Sequence, residues 1–245
     1  MKARFIFIAL MAGIAFSACK KDEISSGPRA ITPHDFLSGD DYKSLTVEVC
    51  YVTGHQPTNE ALNAVMDMLS ARLNKPEGIQ IAYHEIASPR LSSFTTDDLK
   101  RLDKSVRDHY TKGKKLAVFV FFADAPYAES SGNYQVLGLA YGTTSMAIFE
   151  KTVEDYSNGL GEPSRYVLEA TVCEHEFGHL LGLVDNGTPM VSAHLDAAHP
   201  HHCDDHNCLM YYTTETTDIL SNLTGGNIPV FDDNCLADLK ANGGK

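Results

Sequence analysis

The chain has 245 residues, 43 % of them hydrophobic, and carries 20 Lys and Arg against 32 Asp and Glu, a net charge of −12. That apolar content can fill the core of one large domain or two small lobes, and it excludes a disordered or fibrous protein. The acidity argues against nucleic acid or an anionic lipid surface as a partner.

Met1 to Arg4 carries two positive charges, residues 5–16 are apolar, and Phe16-Ser17-Ala18 leads into Cys19. This is the layout of a secretion signal, and the apolar run is too short for an ordinary membrane span. Ser17-Ala18-Cys19 resembles the lipobox of bacterial lipoproteins, with Phe16 standing where Leu is usual. The resemblance implies that residues 1–18 are a signal peptide cut before Cys19, which is then acylated. Removing Lys2 and Arg4 with the signal takes the net charge from −12 to −14, so membrane attachment would be through the lipid alone. Lys20-Lys21-Asp22-Glu23 resembles the charged tags that send some bacterial lipoproteins to the outer face of the outer membrane. Residues 19–43, poor in apolar positions and containing Ser25-Ser26-Gly27-Pro28, read as a flexible tether. A single domain is expected over residues 44–245, divided into an upper lobe, 44–183, and a lower lobe, 184–245.

Residues 44–53 alternate and are Val-rich, predicting a strand, and residues 59–73 place Leu62, Val65, Met66, Leu69 and Leu73 at helical spacing. A second strand follows over 78–87. A helix over 95–112 opens on Thr-Thr-Asp-Asp. Residues 114–125 are almost continuously apolar, as in a central strand buried on both faces. Short β-like runs at 134–141 and 145–151 flank Gly142-Thr143-Thr144 and predict an antiparallel pair. A helix over 164–182 comes next. Alternation of strands and helices implies an α/β fold with a mixed, mainly parallel twisted sheet, a backing helix and a small irregular C-terminal lobe. The last 27 residues offer a short helix, a turn at 225–227 and an amphipathic stretch at 232–239.

The 164–182 helix contains His175-Glu176-Phe177-Gly178-His179, followed by Gly182 and Asp185. Residues four apart share a helix face, so His175 and His179 can present their imidazoles to one metal while Glu176 lies beside them. Two neutral imidazoles suit Zn²⁺, and a catalytic zinc takes three protein ligands and keeps a position for water. Glu176 is then placed to take that water's proton as it attacks a carbonyl. Gly182 can adopt the left-handed backbone that ends a helix and turns Asp185 back toward the metal.

HExxHxxGxxD resembles the metzincin zinc peptidases, whose extended motif ends in His or, in the snapalysin family, Asp. The resemblance implies a zincin-type fold, with His175, His179 and Asp185 as zinc ligands and Glu176 as general base. It also implies an edge strand within 134–142 that pairs with extended substrate above the cleft. A carboxylate ligand such as Asp185 would make the bound water less acidic.

Between 185 and 212 lie His194, His199, His201, His202, His206, Cys203 and Cys208. One of the histidines between 194 and 206, His194 or His206 first, is a rival to Asp185 as third ligand. Cys203-Asp-Asp-His-Asn-Cys208-Leu-Met210 resembles the CxxxxCxM of archaemetzincins, in which the methionine forms the turn beneath the zinc and the cysteines belong to a separate structural site. In those proteins the segment follows the third ligand almost at once; here an insertion intervenes, and only Cys235 follows in place of a CxxC. Met210 is thus the candidate for that turn. Met210-Tyr211-Tyr212 has the MxY spacing of astacins and serralysins, which implies that Tyr212 stabilises an oxyanion. For an exported protein a disulfide from Cys203 to Cys208 or Cys235 is expected, with a second, structural zinc at Cys203 and Cys208 as the alternative.

The reading is a monomeric, zinc-dependent endopeptidase acting on peptides or proteins, anchored through Cys19. Two rivals share its residues: a surface lipoprotein that keeps the zinc site without proteolysis, and a zinc amidase acting on cell-wall peptides.

Overall fold

The structure is a computed structural model that describes residues 29–132, 134–223 and 226–245. The signal peptide, Cys19, the charged tag and the start of the 225–227 turn lie outside the described residues. Residues from Ile31 to Lys245 form one compact unit, and among the described residues no helix is long and apolar enough to cross a membrane.

Among the described residues the elements follow in order: α1 (Pro33–Leu37), β1 (Ser44–Val52), α2 (Asn59–Arg72), β2 (Ile79–Ile86), α3 (Thr96–Val106), β3 (Lys115–Phe122), β4 (Gly138–Gly142), β5 (Ser145–Ile148), α4 (Glu150–Asp155), α5 (Arg165–Leu180), two 3₁₀ turns (Tyr212–Glu215 and Thr217–Asn222) and α6 (Asp233–Ala241). The sheet runs β2-β1-β3-β5-β4. All neighbours are parallel except β4, which pairs antiparallel with β5 at one edge. The expected α/β fold with a mixed, mainly parallel sheet is therefore observed.

Strand alternation divides the core. Leu45, Val47 and Val49 of β1 and Leu116, Val118 and Val120 of β3 pack with α2 and α5. Cys50, Phe119 and Phe121 join Phe94 and Leu99 of the α3 region in a second cluster. This is why β3 shows no polar alternation: both of its faces are covered.

Three boundaries differ from the sequence reading. Residues 31–43 are not tether, since Phe36 and Leu37 are buried in the main core. The buried Lys75 ammonium donates to the carbonyls of Asp35, Ser38 and Tyr42 at 2.7, 2.5 and 3.1 Å. Two apolar side chains in a polar stretch are too few to register as periodicity. The third helix stops at Val106 because buried Glu48 accepts the N–H groups of Asp108 and His109, drawing the chain out of helical geometry. Residues 150–155 are helical, not a strand continuation, and Arg165 Nε reaches the buried Glu150 carboxylate at 3.0 Å.

The α5 helix is buried along nearly its whole length. On its α2-facing side Glu174 feels the charges of Arg72 and Asp67, and burial pushes its carboxyl up to about 8, against the smaller opposing pull of Arg72. From its ordinary 4.5 up to about 8 the folded chain holds a proton that the unfolded chain releases. Stability therefore falls as pH rises through that window. Glu174→Gln should leave the melting temperature little changed at the acid end and raise it at pH 8, as thermal unfolding at the two pH values will show.

Candidate metal centre

The α5 helix begins after Ser164 and ends just before Gly182, whose φ of +75° takes the left-handed turn expected there. A Cβ on Gly182 would also lie 2.5 Å from Pro33 Cγ and 2.7 Å from Thr188 N, so space and backbone both require glycine. Val184 and Asp185 continue left-handed, at φ 53° and 60°, and Asp185 is exposed. The turn thus sends Asp185 outward. It is not among the residues that converge on the helix histidines.

Those residues are His175, His179, His202 and Glu215, whose ligating atoms all lie within 4.8 Å of one another. The Nε2 atoms of His175 and His179 are 3.1 Å apart. His175 Nδ1 donates to the Leu209 carbonyl at 2.7 Å, and His202 Nδ1 to the Pro200 carbonyl at 3.0 Å. Each bond fixes the tautomer and leaves Nε2 with a free lone pair. Burial holds the His175 imidazole down to about 4, helped by its neighbour His202. His179 is depressed further by burial and then by His175 and His202. Both are therefore neutral at pH 7, as metal ligation demands.

Glu176 lies beside them, fully buried, with neither carboxylate oxygen hydrogen-bonded. Burial, then the charge of Glu215, pushes its pKa well up. A buried carboxyl without a partner is costly, and so is the unpartnered Nε2 of His202. A cation with its water would satisfy both. The donor set, three imidazoles and a carboxylate converging on one point, fits zinc.

Edge strand β4 crosses close to this carboxylate: a Cβ on Gly138 would lie 2.6 Å from Glu176 Oε1. Beside the histidines opens a cleft of about 340 Å³, lined in part by Ala140, Tyr141 and Gly142 of β4, by His179 and by Thr32 and Pro33. Met210 is fully buried beneath the helix, and a Cβ on Gly178 would overlap its sulfur.

Tyr212 is stacked on His199, ring centroids 3.6 Å apart. The group from that turn that reaches the imidazoles is Glu215, three residues on. His206 is exposed beside Asp205, away from the helix histidines, and His194 belongs to another group.

His194, Cys203, Asp232 and Cys235 form a second group. His194 Nδ1 is 3.4 Å from Cys203 Sγ and 3.9 Å from Cys235 Sγ, while Cys208 Sγ is 3.7 Å from Cys235 Sγ. Asp238 holds the other nitrogen of His194 at 2.8 Å. The expected disulfide is absent among the described residues: Cys203, Cys208 and Cys235 are free thiols, and 3.7 Å is far beyond a covalent S–S bond. It does match the sulfur spacing around a tetrahedral zinc with bonds of about 2.3 Å. Hydrogen bonds from Cys203 and Cys235 pull the Cys208 thiol down to about 4. A third group, Glu48, His84 and Asp108, is explained by the backbone amides that Glu48 accepts.

No family model and no curated protein sequence matches the chain. Its fold is similar to the crystal structure of archaemetzincin (amzA) from Methanopyrus kandleri, with a TM-score of 0.54 and 14 % identity over 82 % of this chain and 96 % of that one. The two share an archaemetzincin-like fold.

Substitution of Gly178 by Ala should press a methyl into Met210 inside a closed core, at about 1–3 kcal/mol. A lowered melting temperature, partly restored when Met210 is shortened to Val, is the expected result.

Proposed function

We propose that this chain is a zinc-dependent endopeptidase in which His175, His179 and His202 hold the metal and Glu176 is the general base. The supporting observation is Glu176 itself, buried without a hydrogen bond beside imidazoles whose outer nitrogens are already committed to carbonyls. In the sequence-based ligand set His202 replaces Asp185. His202 directly precedes Cys203, and the CxxxxCxM stretch of the resembling family follows its third ligand almost at once.

Bound zinc would supply a Lewis acid for the scissile carbonyl and lower the pKa of the attacking water. Glu176 takes that water's proton and returns it to the departing amide nitrogen; its raised pKa lets it hold the proton between the two steps. Strand β4, with its outer edge free of any sheet partner among the described residues, offers an extended peptide main-chain hydrogen bonds beside Glu176. Met210 and Gly178 keep the helix seated. As part of the same proposal, the enzyme is tethered outside the inner membrane through a lipid on Cys19.

The thiol group reads as a second, structural zinc site of Cys203, Cys208, Cys235 and His194. It would clip the 183–201 insertion to α6, a closed site with no position left for water.

Purified chain should therefore carry two zinc ions. His202→Ala should lose one of them and Asp185→Ala neither, counted by elemental analysis against protein; equal loss in both variants would restore Asp185 as ligand. Glu176→Gln should keep its zinc and drop casein hydrolysis by at least a hundredfold, and a variant as active as wild type would remove Glu176 as base.

A further inference from the structure

We propose that Glu215 is a fourth protein ligand of the histidine centre, closing the position that water or a peptide carbonyl must take. The inference rests on the metal-site reading above and adds a regulatory step to it. With metal–ligand bonds of about 2.0–2.1 Å, a tetrahedral centre sets its ligand atoms about 3.3–3.4 Å apart. The His175 and His179 nitrogens are 3.1 Å apart. A single atom, Glu215 Oε2, lies 3.7 Å from His202 Nε2 and 4.0 Å from His179 Nε2. The four atoms thus outline one coordination sphere, of the size a zinc ion draws together.

The main chain explains why this carboxylate faces inward. Leu137 N donates to the Glu215 carbonyl at 2.7 Å, Thr217 N donates to the Gln135 carbonyl at 3.0 Å, and Val136 and Thr216 form an antiparallel bridge. Residues 215–217 are stitched to the segment that leads into β4, the strand beside the cleft. Glu215 is consequently held by its backbone, while its side chain remains 30 % exposed. Rotation about its own side-chain bonds can carry the carboxylate out to solvent without disturbing the sheet. Glu176, fully buried, has no such exit.

The resting centre is therefore closed by three histidines and Glu215, and a substrate carbonyl or water enters as that carboxylate swings away. Two effects follow. Zinc is held more tightly than three imidazoles alone would hold it, and small metal-binding inhibitors must compete with an internal ligand.

Cobalt-loaded full-length wild type, Glu215→Gln and Glu215→Ala separate these cases, with the spectrum of cobalt-loaded His202→Ala subtracted to remove any metal on the thiols. Acetohydroxamate titrated into each chain should bind both Glu215 variants at least tenfold more tightly than wild type. Zinc affinity, measured by chelator competition, should fall at least tenfold in both. The Gln variant keeps the shape of the side chain, so it carries the test if the Ala variant does not fold. Equal hydroxamate and zinc affinities in wild type and Glu215→Gln would overturn the proposal. A wild-type cobalt spectrum no different from that of His202→Ala would overturn the metal site together with it. If the affinities shift as expected while no form of the chain cleaves peptide, Glu215 stays a ligand and only the peptidase reading falls.

Discussion

The hydrogen bond from His175 Nδ1 to the Leu209 carbonyl, 2.7 Å long and buried, is the contact on which the site depends. It joins α5 to a segment 34 residues later and fixes the imidazole's tautomer in the same stroke. With Leu209 held, Met210 comes to lie beneath Gly178, and the Met210 carbonyl accepts from Cys203 N at 2.8 Å. That pairing brings Cys203 alongside, and with it His202. Move the Leu209 carbonyl, and the methionine floor, the third imidazole and the thiol group all lose their register.

Electrostatics explains why such a site would suit a cation. The buried imidazoles of His175 and His179 resist protonation there, while two carboxyls, Glu176 and Glu215, share the space. They are pushed in opposite directions. For Glu215, burial raises the pKa, but the neighbouring rings of His202 and His175 outweigh it, so the net shift is downward. Glu176 rises through burial and the charge of Glu215. One carboxylate faces the imidazoles as an anion and the other is prepared to hold a proton, the division of labour that acid–base chemistry on a metal-bound water requires.

Much of the fold was legible because its elements obey simple periods. The strand at 44–52, the helix at 59–72 and the apolar strand at 115–122 each declared themselves by alternation, helical spacing or an unbroken apolar run. That His175, Glu176 and His179 lie together was legible for the same reason, since one helix turn sets their relation. Asp185 was expected to turn back toward the helix histidines, whereas consecutive left-handed residues at 184 and 185 send the chain outward. The placement of His202 beside the helix histidines depended on long-range pairing across an insertion, Leu195 with Cys203 and Asp196 N with the His202 carbonyl. No local period records that. Its one sequence mark was adjacency to Cys203. Likewise Glu215 is delivered by its pairing with the strand leading into β4, a contact between segments far apart in the chain.

The insertion of residues 183–201 gains a physical purpose from this geometry. An insertion after the metal helix could have lain across the cleft and blocked it. Instead Val191 N donates to Asp238 at 2.6 Å, His194 engages the same carboxylate at 2.8 Å, and Thr188 binds Gly182 and Asn242. These contacts hold the insertion against α6, and Leu195 then pairs with Cys203 to return the chain toward the helix. The thiol group closes the loop where insertion, methionine turn and α6 meet. A metal there would fix the path that ends at His202, so that the thiol group would position a proposed ligand of the other centre. On the proposed reading the insertion is a long ligand arm, and the thiol group is the point at which it would be clamped.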